Sequence, residues 1–180
     1  MIKNITLLLV MIGAYSLWTS SPIEYGPGEI VSGTPVIENN LSKDIFKREN
    51  YTISPVKRID IKARVLSQER YYFDNKSGIS PFDFVLGWGP MSDEIHLSEI
   101  IINQNNRNHE LELLKPKLPL SEIKNHISLI HAVPSNQFIA DDLKRVRIGH
   151  IIQIKGYIVD IKENGGWMWN DGIIEAVAKT

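Results

Sequence analysis

Arg58-Ile59-Asp60-Ile61-Lys62-Ala63-Arg64-Val65 alternates charged and apolar side chains without a break. Successive side chains of a strand point to opposite faces, so the run offers one face to a core and one to water. It is the clearest strand in the chain, and an alternating strand implies antiparallel sheet with one face covered. Arg70-Tyr71-Tyr72-Phe73 extends it past a bend, and Asp74-Asn75-Lys76-Ser77-Gly78 forms a turn.

Further strands follow from this one. Residues 151–161 read as a long strand whose apolar face switches near Gly156, where a bulge or sharp bend is expected. Residues 126–133 form an apolar, partly β-branched run that ends at Pro134 and reads as a buried strand. Ile95, Leu97 and Ile100-Ile101-Ile102 predict another, and Leu111, Leu113 and Leu114 one more, stopped by Lys115-Pro116. Helical signals are short. Ser80-Pro81-Phe82-Asp83 has a serine N-cap, a proline at the first helical position and an acid near the orphan amides, and Gly87 would end that helix. Residues 43–49 and 121–124 each add about one turn, while Phe138, Ile139, Leu143 and Val146 recur at helical spacing. The expected fold is α+β, mainly antiparallel β. It is a small curved sheet or partly closed barrel, OB-like, with short helices and an N-terminal hydrophobic helix before it.

Composition narrows the function classes. A net charge of −1 removes the footprint of a general nucleic-acid binder, so no nucleic-acid partner is expected. The absence of cysteine excludes disulfides, thiolate metal sites and cysteine nucleophiles together. With 43% hydrophobic residues a real core can form.

After Lys3, residues 5–18 carry no charge. The run is shorter than the roughly 20 apolar residues that comfortably span a bilayer and matches the core of a secretory signal. Ala14-Tyr15-Ser16 offers small residues for a cut after Ser16, and Trp18 would suit a membrane interface if the segment is retained. Residues 1–19 are therefore expected to be a signal peptide or membrane anchor. Residues 20–50, broken by Ser-Pro, Gly-Pro-Gly and Gly-Thr-Pro, read as extended linker, and residues 51–180 as a single β-rich domain. Either membrane role puts the bulk of the chain outside the cytoplasm, in the periplasm of a Gram-negative cell.

The least ordinary stretch is Leu86-Gly87-Trp88-Gly89-Pro90-Met91-Ser92-Asp93, an indole between two glycines with a proline after them. Trp88 reads as a packing anchor that a ligand could also stack on. Ser92, Asp93 and His131 are the types that make a hydrolytic triad, which is defined by geometry rather than order, but Ser92 lacks the G-x-S-x-G turn that exposes a nucleophile. Asn103-Gln104-Asn105-Asn106-Arg107 is dense in amides that can read a sugar or peptide backbone or simply hold their own loop. The candidate ligand contacts are Trp88, Ser92, Asp93, Asn106, Arg107 and His131, with no catalytic residue assigned. The five histidines have no metal-ligand spacing, and nothing calls for a metal or cofactor.

The runs at 86–93 and 103–107, with Ile61 to Leu66, Ser80-Pro81-Phe82-Asp83, His131-Ala132-Val133-Pro134 and residues 148–157, resemble a family of uncharacterised bacterial exported or membrane-anchored proteins marked by Leu-Gly-Trp-Gly-x-Met-Ser-Asp. The resemblance covers residues 55–169 and implies an envelope location but no activity. The chain departs from the pattern after Trp167-Met168-Trp169: the look-alikes run on through a polar, cysteine-containing stretch to a final strand. Here Asn170-Asp171-Gly172 breaks the pattern, so a weak edge or frayed tail prone to self-association is expected from Asn170 onward. The function expected is a non-enzymatic envelope domain that binds an unknown protein or ligand, or stabilises an assembly, with the membrane as partner through the N-terminal segment. The alternative is a hydrolase-type enzyme with a site near Trp88, Ser92, Asp93, Arg107 and His131.

Overall fold

The computed structural model describes residues 2–39, 44–170 and 173–179. The fold is α+β with mostly antiparallel strands and short helices. Its axis is β3 (Tyr51–Arg70), far longer than the alternating run that predicts it. Residues 51–64 pair with β8 (Ile151–Glu163), and residues 64–70 pair with β4 (Phe82–Gly87). One strand serves two neighbours because it bends, with register shifts at Pro55/Lys57 and Val65/Ser67 that increase twist. The face of β8 does switch between Gly156 and Val159, but the irregularity that accommodates it sits on β3, opposite.

Beyond β4 the sheet continues into β7 (Ile127–Pro134), antiparallel to it. The short strands β1 (Val36–Glu38) and β2 (Phe46–Arg48) pair with β3. A separate hairpin of β5 (Ile100–Asn105) and β6 (Asn108–Leu113) is followed by α3 (Leu120–Asn125), and α4 (Gln137–Lys144) joins β7 to β8. Asn136 caps α4 by accepting from the Ile139 N–H at 3.1 Å. The largest core group brings Ile61, Val65, Phe84, Leu86, Trp88, Ile130 and Ile154 together, fed by β3, β4, β7 and β8.

Several expectations change. The helix expected from Ser80 onward is β4: all six of its residues are buried, and a central strand covers both faces of such an apolar, aromatic run, whereas a helix would expose half of it. Ile95 and Leu97 lie in a short helix, α2 (Glu94–Leu97), capped by Asp93, not in a strand. Around Phe46 the chain is strand, not helix, and Lys43 lies outside the described residues.

The frayed tail is likewise replaced. Residues 173–179 form β10, parallel to β7 and antiparallel to β8, while the two-residue β9 (Met168–Trp169) pairs with β8. A short apolar run without alternation suits a strand with neighbours on both sides. The break at Asn170-Asp171-Gly172 falls partly outside the described residues.

The expected N-terminal helix is α1 (Ile2–Ser20). Among the described residues no helix is long and apolar enough to cross a membrane, which corrects the transmembrane expectation. Residues 3–15 are nonetheless exposed throughout, large apolar side chains included.

The extended linker is only partly free. Ile23 donates to the Ile148 carbonyl at 3.0 Å, Gly89 donates to the Val31 carbonyl at 2.6 Å, and Val31 is buried. Gly149, at φ +90, sits where any Cβ would meet the Ile23 backbone, so this close approach needs glycine there. The domain therefore begins well before Tyr51, with residues 23–31 as a strap across it.

Candidate functional site

Two polar groups dominate the interior, and the predicted site residues divide between them. The first forms where β4 ends. Gly89 takes φ +52, and a Cβ there would come within 2.8 Å of the His126 ring, so the chain turns tightly beneath that imidazole. The turn continues through Met91 and Ser92 to Asp93. Trp88 is buried in the core, its ring tilted against His126 at 6.4 Å.

Ser92 is fully buried, and its hydroxyl faces the strap. Ser92 Oγ accepts from the N–H groups of Ile30 and Val31, each at 3.1 Å, and donates to the Gly89 carbonyl at 2.7 Å. Asp93 Oδ1 accepts from the N–H groups of Gly28 and Ile95, each at 2.9 Å. Below them Arg64, buried although it belongs to the charged set of its strand, donates to the carbonyls of Ser92 (3.1 Å) and Ile23 (3.0 Å) and pairs with Glu94. This group is a clamp that holds the strap.

Removing the Ser92 hydroxyl would strand two strap amides. Ser92→Ala is expected to cost about 1–3 kcal/mol, the range for buried groups left without a partner. Amide exchange at Ile30 and Val31 should accelerate more than exchange in β8; unchanged protection would contradict the clamp.

The clamp also has a pH limit. Burial on its own would raise the Asp93 carboxyl, but the bonds from Gly28 and Ile95 outweigh it and hold the group below its ordinary value. A depressed carboxyl contributes stability above its unfolded pKa, near 4, and loses it as pH falls through the lower folded value. Gly28 amide protection should therefore be intact above about pH 4 and decline below it. Asp93→Asn should remove that acid limb.

The second group lies at the other end of β4. Asp83 and His131 are register partners on β4 and β7, four positions from the Gly87–Ile127 pair, or roughly 13 Å at the rise of a strand. Asp83 is fully buried. Its Oδ1 accepts from Arg107 Nη1 at 2.8 Å, and its Oδ2 lies 2.9 Å from His131 Nδ1. That second contact is too poorly directed for a hydrogen bond, so both atoms remain buried without one. The His131 ring lies tilted against Trp169, its centroid 4.7 Å away, and Lys76 Nζ lies over the same indole at 4.1 Å.

Arg107 reaches this group from the tip of the β5–β6 hairpin. Asn106 and Arg107 take φ +48 and +65, the two-residue turn that matches strand twist. Asparagine tolerates that conformation and arginine does so at a cost, which its contacts offset. Arg107 bonds both oxygens of Asp74 (2.7 and 2.9 Å) and the Ser80 carbonyl (2.8 Å), and its guanidinium covers the Tyr71 ring at 3.7 Å. The Asp74 carboxyl is held below its ordinary range, first by its hydrogen bond from Arg107. Burial raises the Tyr71 phenol.

The chain was compared with protein-family models, curated proteins and solved structures. None matches.

Of the six predicted contacts, Ser92, Asp93 and Trp88 sit at the strap end, and Asn106, Arg107 and His131 at the other. Ser92 and His131 are not brought together. Asp83, Asp74, Tyr71 and Arg64 escape sequence reading. Asp83 carries the one usable signal, being a lone acid in an apolar run that must find a buried partner if the run is a strand. His126 caps α3 and contacts the Glu122 carbonyl at 2.8 Å, so it is not on the same strand as His131. Among the described residues no group of three histidine or carboxylate side chains is placed to hold a metal.

Proposed function

We propose that the chain is a non-enzymatic binding or structural domain held at or beyond a bacterial membrane, with α1 as export signal or anchor. The observation that carries the non-enzymatic half is the engagement of Ser92: its hydroxyl is taken up by Ile30, Val31 and Gly89, at the far end of β4 from His131. The membrane half is supported by the large apolar side chains that Ile5 and residues 7–12 expose together. The resemblance of the Leu86–Asp93 run to exported or anchored bacterial proteins points the same way.

We take β3, β4, β7, β10 and β8 as a partly closed barrel of the oligonucleotide/oligosaccharide-binding type. Each pairs with the next, β8 pairs with β3, and α4 connects β7 to β8. The net charge of −1 speaks against nucleic acid as its ligand. An envelope protein or small ligand would meet the face where Trp167, Trp169 and Lys76 lie beside His131. A C-terminal fusion to a reporter active only outside the cytoplasm tests the location: it should give signal, and a reporter active only inside should not. The reverse pattern would sink this function. Capture from envelope extract should then be lost in Trp167→Ala but not in Ser92→Ala.

A further inference from the structure

Beside Trp88, just past the end of β4, a pocket of about 320 Å³ reaches the main core. Ile59, Ile61, Trp88 and Ile130 are its buried walls, and Ile37, Asn125 and Ser128 line its more exposed part. Among the described residues no charged side chain lines it.

Two of these side chains are left without the cover or the partner that their positions call for. Ile37 is the register partner of Ile59, so the two share a face of the sheet, yet Ile59 is 6% exposed and Ile37 52%. Apolar surface on the core side is thus uncovered at the pocket. Ser128 shares a face of β7 with Ile130 and Ala132, both of them in the main core. It is a half-buried polar side chain at an inward position. Among the described residues its hydroxyl makes one contact, with the Leu129 carbonyl at 3.4 Å, which is long for a hydroxyl bond.

These walls select an occupant by charge, size and polarity. A charge placed here would lose water and meet no counter-charge, so the walls suit an uncharged molecule. A dry apolar cavity of about 150 Å³ takes up benzene, so a space twice as large suits two fused rings. The weakly engaged Ser128 hydroxyl offers a hydrogen bond to one oxygen of that molecule.

We propose that this pocket binds an uncharged, two-ring apolar molecule carrying one hydroxyl or carbonyl oxygen. Its rings lie against Trp88, Ile61 and Ile130, Ile37 covers them, and its oxygen bonds Ser128. The pocket shares no lining residue with the face of Trp167, Trp169 and Lys76, and the proposal stands whether or not the chain is exported.

Calorimetric titration of the full chain with 2-naphthol and 2-naphthoate at pH 7 tests this. The two share their rings, but a phenol is uncharged at that pH and a carboxylate is not. Ser128→Ala removes one half-buried hydroxyl and Ile37→Ser alters an exposed side chain, so both variants should fold. 2-Naphthol should bind saturably and, by NMR, shift the Trp88 indole and the methyl groups of Ile61 and Ile130. 2-Naphthoate should bind at least tenfold more weakly. Ser128→Ala should weaken 2-naphthol roughly two- to tenfold, the range for one neutral hydrogen bond, and Ile37→Ser about fivefold. Uptake by the surroundings of α1 is the same in every variant, so these differences report the pocket. Absence of saturable binding, shifts confined to other residues, or no response to Ile37→Ser would overturn the site. 2-Naphthoate binding as tightly as 2-naphthol would overturn the uncharged class, and a silent Ser128→Ala would overturn the place given to the oxygen.

Discussion

Replacing Trp88 with alanine is expected to destabilise the domain by about 3–5 kcal/mol, the range for buried large aromatics. The ring lies in the main core with Ile59, Ile61, Phe84 and Ile130 and is only 8% exposed. It also borders a cavity of about 320 Å³ together with Ile59, Ile61, Ile130 and Ile158. Truncation would enlarge a space that already exists, and strands on several sides keep the walls from collapsing into it. Cost rises with residual cavity volume, so the upper part of the range is expected. Neighbouring residues reinforce this. The Trp88 N–H donates to the His126 carbonyl at 3.0 Å, so the backbone cannot follow the missing side chain inward. Denaturant unfolding should show a lower midpoint at unchanged slope. An unchanged midpoint would mean that the indole adds nothing to the core, and ligand stacking would become its role.

Asp83→Ala is expected to have an effect of similar size by a different mechanism. Asp83 is a fully buried carboxylate between the Arg107 guanidinium and His131. Breaking a buried pair by removing one partner costs about 3–5 kcal/mol, because the charge left behind has lost both water and counter-charge. Arg107 would keep Asp74 and the Ser80 carbonyl, which moderates the loss. A double-mutant cycle isolates the pair: Arg107→Met should cost distinctly less in the Asp83→Ala background than in the native chain. Additive losses would show that the two side chains are not coupled. The hairpin tip should also loosen, since Arg107 is its tie to the turn of Asp74 and to β4.

The strap and the second group together explain why the central motif misleads as a catalytic signal. Ser92 and Asp93 are polar because they terminate hydrogen bonds from residues 28–31, some sixty positions earlier. Buried polar groups must find partners. A serine and an aspartate next to a glycine-tryptophan run satisfy that demand as readily as they would serve a reaction. The two uses look alike until the third residue of the constellation can be located, and His131 is at the wrong end of β4.

The sequence by itself determined the features that depend on local pattern. The alternation of residues 58–65 specified a strand and its inner face, and the apolar run ending at Pro134 specified β7. The helical spacing of Phe138, Ile139, Leu143 and Val146 specified α4, on which Ile139 and Leu143 are buried while Phe138 faces solvent and Val146 lies just past the helix. Each needs only the period of its own side chains. Tertiary structure decided what local pattern leaves degenerate. Phe82–Gly87 has a helix-like opening and became a strand because β3 and β7 flank it on both sides. Residues 23–31 carry no period at all, and their place is set by the Ser92–Asp93–Arg64 clamp. Arg64 sits in a strand's charged set and is buried because that strap crosses it. His131 found Asp83 through β-sheet register, and register is a property of two strands that neither one encodes alone.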